Sequence, residues 1–310
     1  MGTCPWEEDL QYVRAVCDQA GVELQVIPLQ KEYHERVIAY TIEAVKEGRT
    51  PNPDMLCNTM IKFGAFYETV GKQYDMIATG HYAQVTNKDG VYYLAQTPDA
   101  IKDQTYFLAR LSQEQLSRVM FPIGEYTKEQ VRQLAQKFDL PNKERKDSQG
   151  LCFLGKIKFR DFIEQHVGKR QGDLVEYETG AVLGVHDGFW FYTVGQRQGI
   201  GLSGGPWYVV SKDSERNVVF ISKGYHTPDK QRDSFLIEHC YWFNGVAPLD
   251  REIFVKLRHG AHMHRARVVP TEKGMQVNLF ERDQGIAAGQ FAVFYENGLC
   301  LGSAVIGQLS

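Results

Sequence analysis

The first half of the chain alternates helical patterns with short apolar runs. Apolar residues recur at helical spacing over Glu7–Ala20, Lys31–Glu47 and Pro53–Val70, and each of these segments ends at a glycine. Between them, Glu23–Ile27 and Tyr74–Thr79 are apolar runs with the length of strands. Strands that alternate with helices are typical of a parallel sheet with helices on both faces. The pattern therefore predicts an α/β fold for this half.

A hairpin and further helices are predicted after this pattern. Residues 87–90 (NKDG) form a turn signal between two strand-like runs. Helical patterns occupy 103–138 and include a capping-box spacing at Thr127–Gln130. A polar, basic loop at 142–150 (NKERKDSQG) then precedes a last predicted helix at about 157–166.

The pattern changes after this helix. Glycines, aromatic residues and β-branched residues dominate, and turn signals recur at short intervals. The sequence predicts an α/β domain over 1–165, a small β-rich domain over 166–225 and a C-terminal β-barrel over 226–310.

Composition narrows the class of protein. With 310 residues, 43% hydrophobic and 24% charged, the chain resembles an ordinary globular protein with more than one domain. No apolar run reaches the roughly 18–20 residues of a membrane span. The first residues, MGTCPWEEDL, lack the basic and apolar regions of a secretory signal. We therefore expect a cytoplasmic protein that does not enter the membrane.

Charge and cysteine content change the picture in two ways. The net charge of −3 and a pI of about 6.3 argue against binding nucleic acid over the whole surface, but not against local basic patches. The six cysteines include no CxxC pair. In a reducing compartment, a disulfide between such residues is expected to be transient or catalytic rather than structural.

Residues 50–58 (TPNPDMLCN) are the first candidate site. Pro53 suits the first position of a helix, and Asn52 then becomes its N-cap. Asp54 falls in the first turn, where the helix dipole favours an acid, and Cys57 follows on the same face. Two interpretations remain open: a capped helix with a buried cysteine, or a corner that presents Asn52, Asp54 and Cys57 together.

A second cysteine lies in a different setting. Cys152 follows a glycine and a basic cluster of Lys143, Arg145 and Lys146. These cations would stabilise a thiolate or attract phosphate. The alternative is a small apolar residue in LCFL. Together with Cys57, it would be able to form a transient catalytic disulfide.

Three further stretches have both a functional and a structural interpretation. Gly80 and His81 follow a predicted strand at the edge where open α/β sheets bind ligands, or they form a surface turn. Residues 256–267 (KLRHGAHMHRAR) are rich in cations. They are interpreted either as a strand edge that contacts a nucleic-acid backbone or as a solvated strand face. The glycines of 202–208 (LSGGPWY) precede a β-like run rather than a helix, so they predict a turn and not a phosphate loop.

Several motifs carry a family resemblance. GRTPNPDMLCN, IKFGAF, ATGHYA, KDQTYFL, KDSQGLCFLG, TVGQRQGIG and PWYVV occur in this order. Together they resemble the tRNA-specific 2-thiouridylase family over essentially the whole chain. The resemblance implies an α/β class: a Rossmann-like parallel sheet of the adenine nucleotide hydrolase type, a small central domain and a C-terminal β-barrel.

The resemblance also implies a reaction. Members of the family replace the C2 oxygen of the wobble uridine in certain tRNAs with sulfur. ATP, expected with Mg²⁺, adenylates that oxygen. Cys152 matches the cysteine that carries a persulfide, Cys57 its partner nucleophile, and Asp54 an acid/base residue. An upstream sulfur-donor protein is the expected partner besides tRNA.

Binding residues follow from the same motifs. Gly80 matches a glycine that contacts ATP. The positions that match tRNA contacts are Asn52, Pro53, Asp54, His81, Lys102, Asp103, Gln104, Arg258, His259 and Gln290.

The sequence departs from the family at its start. The family begins with a strand and an SGGxDS pyrophosphate loop, and this sequence contains neither. That loop supplies backbone N–H groups to phosphates. We therefore expect an N-terminally truncated member with weak or absent adenylation. The alternative is a tRNA-binding or sulfur-carrying remnant without catalysis.

Overall fold

The computed structural model describes residues 5–145, 159–225 and 227–307. The α-helices are Pro5–Ala20 (α1), Gln30–Tyr33 (α2), Ala39–Lys46 (α3), Pro53–Leu56 (α4), Phe66–Thr69 (α5), Thr105–Leu108 (α6), Gln113–Ser117 (α7), Lys128–Lys137 (α8) and Phe159–Val167 (α9). π-Helical segments occupy His34–Ile38 and Cys57–Ala65, and 3₁₀ turns occupy Gly71–Gln73, Phe189–Phe191 and Pro228–Lys230.

The strands, in chain order, are Ile77–Ala78 (β1), Gln84–Lys88 (β2), Val91–Ala95 (β3), Val119–Met120 (β4), Gly172–Glu176 (β5), Val182–His186 (β6), Tyr208–Asp213 (β7), Val218–Ser222 (β8), Arg232–Trp242 (β9), Ile253–Lys256 (β10), His264–Thr271 (β11), Gly274–Asp283 (β12), Phe291–Glu296 (β13) and Leu299–Ile306 (β14).

The chain divides into two compact units. The first unit comprises Met1–Val37 and Pro53–Phe159. The second comprises Ile38–Asn52 and Arg160–Ser310.

The first unit contains most of the predicted helices. The helix predicted from Pro53 is confirmed, and it continues through the π-helical segment Cys57–Ala65 to Thr69. In this segment the N–H of Phe66 bonds to the carbonyl of Ile61, five residues back. The segment is nine residues long, which is longer than the single π-helical turns that usually interrupt α-helices.

The strands of the first unit are short. β1 pairs with β4 in parallel, with Ile77 opposite Val119, and β2 pairs with β3 as the predicted hairpin. The capping box predicted at Thr127–Gln130 is also confirmed, with both of its hydrogen bonds present.

The strand predicted at Glu23–Ile27 is wrong. Residues 22–29 form neither helix nor strand, and Val22 and Val26 are 59% and 61% exposed. An apolar run becomes a strand only where a neighbouring strand satisfies its backbone groups. The described part of the chain offers this segment no such neighbour.

The second unit is built mainly from antiparallel strands. A four-stranded sheet has the order β6-β5-β8-β7, in which only β5 and β8 run parallel. Six further strands pair in the order β13-β10-β11-β12-β9-β14, and β14 pairs back with β13. This pairing closes a barrel, and closure removes exposed strand edges. Its core includes Phe235, Val255, Val268, Val277 and Phe294.

Candidate functional site

Helix α4 positions the first candidate residues. It begins at Pro53 and carries Asp54 in its first turn, as the sequence predicts. Asn52 and Asp54 are partly exposed, whereas Cys57 has no exposed surface. A buried thiol reacts with a large substrate only after a local opening exposes it. Asp54 is therefore accessible in this conformation and Cys57 is not.

Asn58 connects this helix to the strand end at His81. Its Oδ1 lies 3.2 Å from Nε2 of His81, and its Nδ2 donates to the carbonyl of Phe107 at 3.1 Å. The hydroxyl of Thr79 lies 2.8 Å from Nδ1 of the same ring. Because an amide oxygen only accepts, Nε2 of His81 carries the proton and Nδ1 accepts from Thr79.

The surroundings of His81 keep the ring neutral. The ring lies 5.9 Å from the rings of Phe63 and Phe121, and the residue is 8% exposed. Burial, together with the charge of Lys62, lowers the pKa of His81 to about 3. Both ring nitrogens already have partners within the protein. The contact with tRNA that the resemblance implies for His81 stays a prediction.

The KDQ motif joins the same region. The N–H of Gln104 donates to the carbonyl of Tyr82 at 2.8 Å, and the N–H of Tyr82 donates to Oε1 of Gln104 at 2.9 Å. The buried carboxylate of Asp103 accepts from the N–H of Thr97 at 3.1 Å and from the hydroxyl of Thr105 at 2.5 Å. The first unit thus brings three separate sequence motifs together through side-chain hydrogen bonds.

Gly80 and Lys102 lie at accessible positions. Gly80 is exposed, and a Cβ atom added to it would meet no atom within 4 Å. Its backbone is therefore open to a ligand, which fits the predicted contact with ATP. Lys102 is partly exposed. Both roles stay predictions.

The second cysteine cannot be placed with the first. Cys152 lies outside the described residues. Of the basic residues that precede it, Lys143 pairs with Asp139 and Arg145 pairs with Asp9.

A charged cluster lies in the barrel beside Arg258. The carboxylate of Asp283 accepts from Arg258 at 2.6 Å, and its other oxygen accepts from the N–H of Gly285 at 2.6 Å. Nε2 of His264 lies 3.3 Å from the first oxygen. Burial alone would raise the pKa of Asp283, but the hydrogen bond from His264 and the charge of Arg258 outweigh it and lower that pKa to about 2.

The outer face of the barrel carries further cations. Arg265 and Arg267 alternate with buried residues along β11, and their guanidinium groups lie 5.1 and 5.4 Å from the centre of the Phe280 ring. Arg265 also lies 3.5 Å from Glu252, and His259 is exposed. Arginine beside an exposed aromatic ring is a combination that binds RNA backbone and bases.

Gln290 contacts the segment that leads to Asn52. Its Nε2 donates to the carbonyls of Thr50 and Pro51 at 3.1 and 3.3 Å. The N–H of Thr50 donates to the carbonyl of Ala288 at 2.8 Å. The predicted tRNA contact of Gln290 stays a prediction, and its amide also holds this segment.

Comparison with family models covers most of the chain. Residues 1–156 match the model described as tRNA methyl transferase HUP domain, residues 160–223 match the tRNA methyl transferase PRC-barrel domain, and residues 232–306 match the aminomethyltransferase beta-barrel domain.

Curated relatives are similar over nearly the full chain. A tRNA-specific 2-thiouridylase MnmA of Porphyromonas gingivalis is 46% identical, over 98% of this chain and 87% of its own length. A protein of the same name from Parabacteroides distasonis is 46% identical over 98% and 86%. A further one from Bacteroides thetaiotaomicron is 44% identical over 98% and 87%.

The chain belongs to the tRNA-specific 2-thiouridylase family.

Membership in the 2-thiouridylase family agrees with the architecture. The sequence predicts a Rossmann-like α/β domain, a small β-rich domain and a C-terminal β-barrel. The matched HUP, PRC-barrel and beta-barrel models confirm this fold class, and so does the closed six-stranded barrel. The predicted domain boundaries stay predictions.

Within residues 5–145, 159–225 and 227–307, no group of three or more His, Cys, Asp or Glu side chains is arranged to hold a metal ion. None of the helices in those ranges has the length and apolar character needed to cross a membrane.

Several residues of these clusters were not singled out from the sequence. Asn58 and Thr79 hold His81, and Asp283 holds Arg258 and His264. The position of Asn58 beside Cys57 was a usable signal, because side chains next to a candidate nucleophile often orient its neighbours. No spacing rule connects Asp283 to Arg258, since Arg258 follows β10 and Asp283 ends β12, and the two strands are joined through their pairing with β11.

Proposed function

We propose that this chain is a tRNA-uridine 2-sulfurtransferase that replaces the C2 oxygen of the wobble uridine with sulfur in an ATP-dependent reaction. The observation that carries this proposal is 46% identity, over 98% of the chain, to a relative named tRNA-specific 2-thiouridylase. The accessible Asp54 and the nearby Cys57 support the chemistry, and the exposed arginines of the barrel support binding of a polyanion.

Activation of the uridine comes first. The C2 oxygen is a poor leaving group. When bound with Mg²⁺, ATP would transfer its adenylyl group to that oxygen and release pyrophosphate, which would make the oxygen a good leaving group. In the described part of the chain, Gly80 offers an exposed backbone for contact with ATP.

Sulfur transfer then involves two cysteines. The terminal sulfur of a persulfide on Cys152 attacks C2, and the C–O bond breaks as the oxygen leaves with AMP. The thiolate of Cys57 attacks Sγ of Cys152. The bond between Sγ and the transferred sulfur breaks, so that sulfur stays on the uridine. The electron pair of the broken bond goes to the sulfur on the base, and Cys57 and Cys152 are left joined by a disulfide. A dithiol reductant then restores the thiols, and a sulfur-donor protein reloads the persulfide.

Asp54 is the proposed proton acceptor. It lies in the first turn of α4 and is partly exposed, so it can reach a base that is turned out of the anticodon loop. Cys57 is buried, so its attack requires an opening of the helix start at which it lies. The segment from Asn52 to Asp54 is proposed to hold the target base.

The remaining proposed tRNA contacts divide between the two units. His81, Lys102, Asp103 and Gln104 belong to the first unit, and Arg258, His259 and Gln290 belong to the second. Arg258, Arg265 and Arg267 present positive charge on the barrel and are suited to phosphate groups. A cytoplasmic location, where tRNA and ATP are present, is part of the proposal.

The test is a thiolation assay with product analysis. The chain is incubated with unmodified tRNA, ATP, Mg²⁺ and a persulfide or sulfide source, and the digested nucleosides are analysed by mass spectrometry. We expect 2-thiouridine, and no product without ATP. Methylated uridine without thiolation would instead support the activity that the names of the matched models describe. Binding of tRNA without any product would support the remnant alternative.

Variants identify the reacting groups. Cys57→Ser and Cys152→Ser are expected to abolish persulfide-driven thiolation, and Asp54→Asn is expected to lower the rate about 100-fold or more. Cys17→Ser is the matched control, because Cys17 lies on α1 outside the candidate motifs. Normal activity in the Cys57 or Cys152 variant would remove the assignment of that cysteine.

A further inference from the structure

A polar groove in the second unit has no role in the reaction described above. It has a volume of about 430 Å³ and lies between the turn that follows α3, strand β7 and the start of β9. Its charged lining residues are Glu47, Arg49, Lys212, Asp213, Glu215 and Arg232.

The carboxylates of the groove have partners or face water. Glu47 pairs with Arg49, whose guanidinium also lies 3.5 Å from the hydroxyl of Tyr40. Asp213 accepts from the backbone N–H of Arg216 at 2.9 Å and lies 3.9 Å from its guanidinium. Glu215 is exposed. In the described residues, none of these acids forms an ion pair with the other two cations of the groove.

Lys212 and Arg232 are those two cations. Across the described ranges, neither side chain makes a hydrogen bond or an ion pair. The ammonium group of Lys212 lies deep enough that burial lowers its pKa to about 8, and no nearby carboxylate contributes to that shift. At neutral pH this lysine is still mostly protonated.

A buried cation without a partner lowers the stability of a protein. Burial of an unpaired charge is unfavourable, and such groups in native structures require an explanation. A bound anion would supply the missing counter-charge for Lys212, and Arg232 lines the same groove. The volume falls in the range of sites for whole small molecules, about 300–1,000 Å³, and exceeds what a lone phosphate ion needs. A phosphate that is carried with an adjoining ribose fits better.

We propose that this groove binds a phosphate group through Lys212 and Arg232, and that the phosphodiester backbone of tRNA is its source. The choice of tRNA as the source rests on the proposed function. The shared chemistry, a phosphate held by two cations, does not.

The first test measures tRNA affinity at several salt concentrations. Lys212→Gln and Arg232→Gln are each expected to weaken binding of unmodified tRNA several-fold, and to reduce the slope of log affinity against log salt by about 1 for each lost phosphate contact. Lys88→Gln is the control, because Lys88 is exposed on β2 and does not line the groove. Wild-type affinity and slope in both groove variants would overturn the proposal.

The second test does not depend on thiolation. Labelling of the Lys212 amine by an acylating reagent is followed by mass spectrometry, alone, with inorganic phosphate and with unmodified tRNA. The proposal is supported if tRNA protects Lys212 from labelling while inorganic phosphate, at the same total concentration of phosphate groups, does not. Protection by free phosphate alone would overturn tRNA as the source. No protection by either would overturn the site.

Failure of the proposed function is distinguishable from failure of the groove. If the wild-type chain binds no tRNA, the proposed function loses its support, and protection of Lys212 by inorganic phosphate still decides whether the groove holds phosphate.

A stability measurement checks the premise. Lys212→Met removes an unpaired buried charge and keeps most of the side-chain volume, so its melting temperature is expected to equal or exceed that of the wild type. A clear fall in the melting temperature would show that the ammonium group has a structural partner, and would overturn the argument for a ligand.

Discussion

Each of the two units buries a histidine beside predicted functional residues, but each stabilises it differently. In the first unit, His81 is held by the uncharged side chains of Thr79 and Asn58 and packs against two phenylalanine rings. In the second unit, His264 contacts the carboxylate of Asp283, which also pairs with Arg258. The first network is neutral and the second is ionic.

The difference shows that the environment, rather than the residue type, decides what a histidine does. Burial among uncharged neighbours, together with the charge of Lys62, lowers the pKa of His81 to about 3 and keeps its ring neutral. A carboxylate whose pKa is near 2 keeps its negative charge next to His264 and Arg258 at every physiological pH. The neutral network positions a helix, whereas the ionic network orients an arginine toward solvent.

Removal of Asp283 is expected to have the largest effect on stability. Asp283→Ala leaves the buried His264 and the Arg258 guanidinium without their carboxylate, and should lower the free energy of unfolding by about 3 kcal/mol. Urea unfolding measures this. Asp233→Ala is the control: its carboxylate pairs with Arg282 at an exposed position, so a loss below about 1 kcal/mol is expected. Equal losses in the two variants would contradict the importance of the ionic network.

The pH dependence of stability separates the two networks. His81 has a pKa of about 3 in the folded state against 6.5 for the ordinary group, so the unfolded chain binds a proton in this interval that the folded chain does not. The contribution of the neutral His81 ring to the free energy of unfolding is fully present above pH 6.5. It is lost as the pH falls toward 3, at about 1.4 kcal/mol per pH unit. The contribution of Asp283 is lost only below its ordinary pKa of 3.8.

Unfolding measured between pH 6.5 and 4 therefore isolates His81. Over this interval the wild type is expected to lose about 2–3 kcal/mol more stability than His81→Gln, which cannot bind the proton. Parallel pH profiles for the two proteins would show that His81 is not held neutral.

Substitutions of Asn58 test the neutral network around His81, because they either remove a partner of the ring or replace it with a charged one. Asn58→Ala removes the acceptor of the Nε2 proton of the buried His81 and one hydrogen bond to the carbonyl of Phe107, and should destabilise the protein by about 1–3 kcal/mol. Asn58→Asp instead places a negative charge beside the ring and should raise the pKa of His81. An NMR titration of the ring measures it, and an unchanged pKa would show that burial alone controls the ring.

Arg258→Gln is expected to have the smallest effect on stability. Its side chain is 54% exposed, and Asp283 keeps its contacts with His264 and the N–H of Gly285, so a loss of about 0.2–1 kcal/mol is expected. Binding of unmodified tRNA should nevertheless weaken, with a salt slope lower by about 1. An unchanged salt slope would remove Arg258 from the proposed RNA contacts.

Features that depend on neighbouring residues were predictable from the sequence. Pro53 at the first helical position and the capping box at Thr127–Gln130 were both confirmed, because these preferences arise within one helical turn. The apolar run at Glu23–Ile27 was misread as a strand, because a strand also needs a partner that the run itself cannot specify.

The sequence by itself determined many of the helices and strands, the helix start that carries Asp54 and Cys57, and, through its motifs, the family. Only the tertiary structure decided that Cys57 is buried, that His81 is neutral between Asn58 and Thr79, and that Asp283 pairs with Arg258. The physical reason is range. Caps and periodicity act over a few residues, whereas burial and charge pairing depend on contacts between segments that are distant along the chain and meet only in the folded protein.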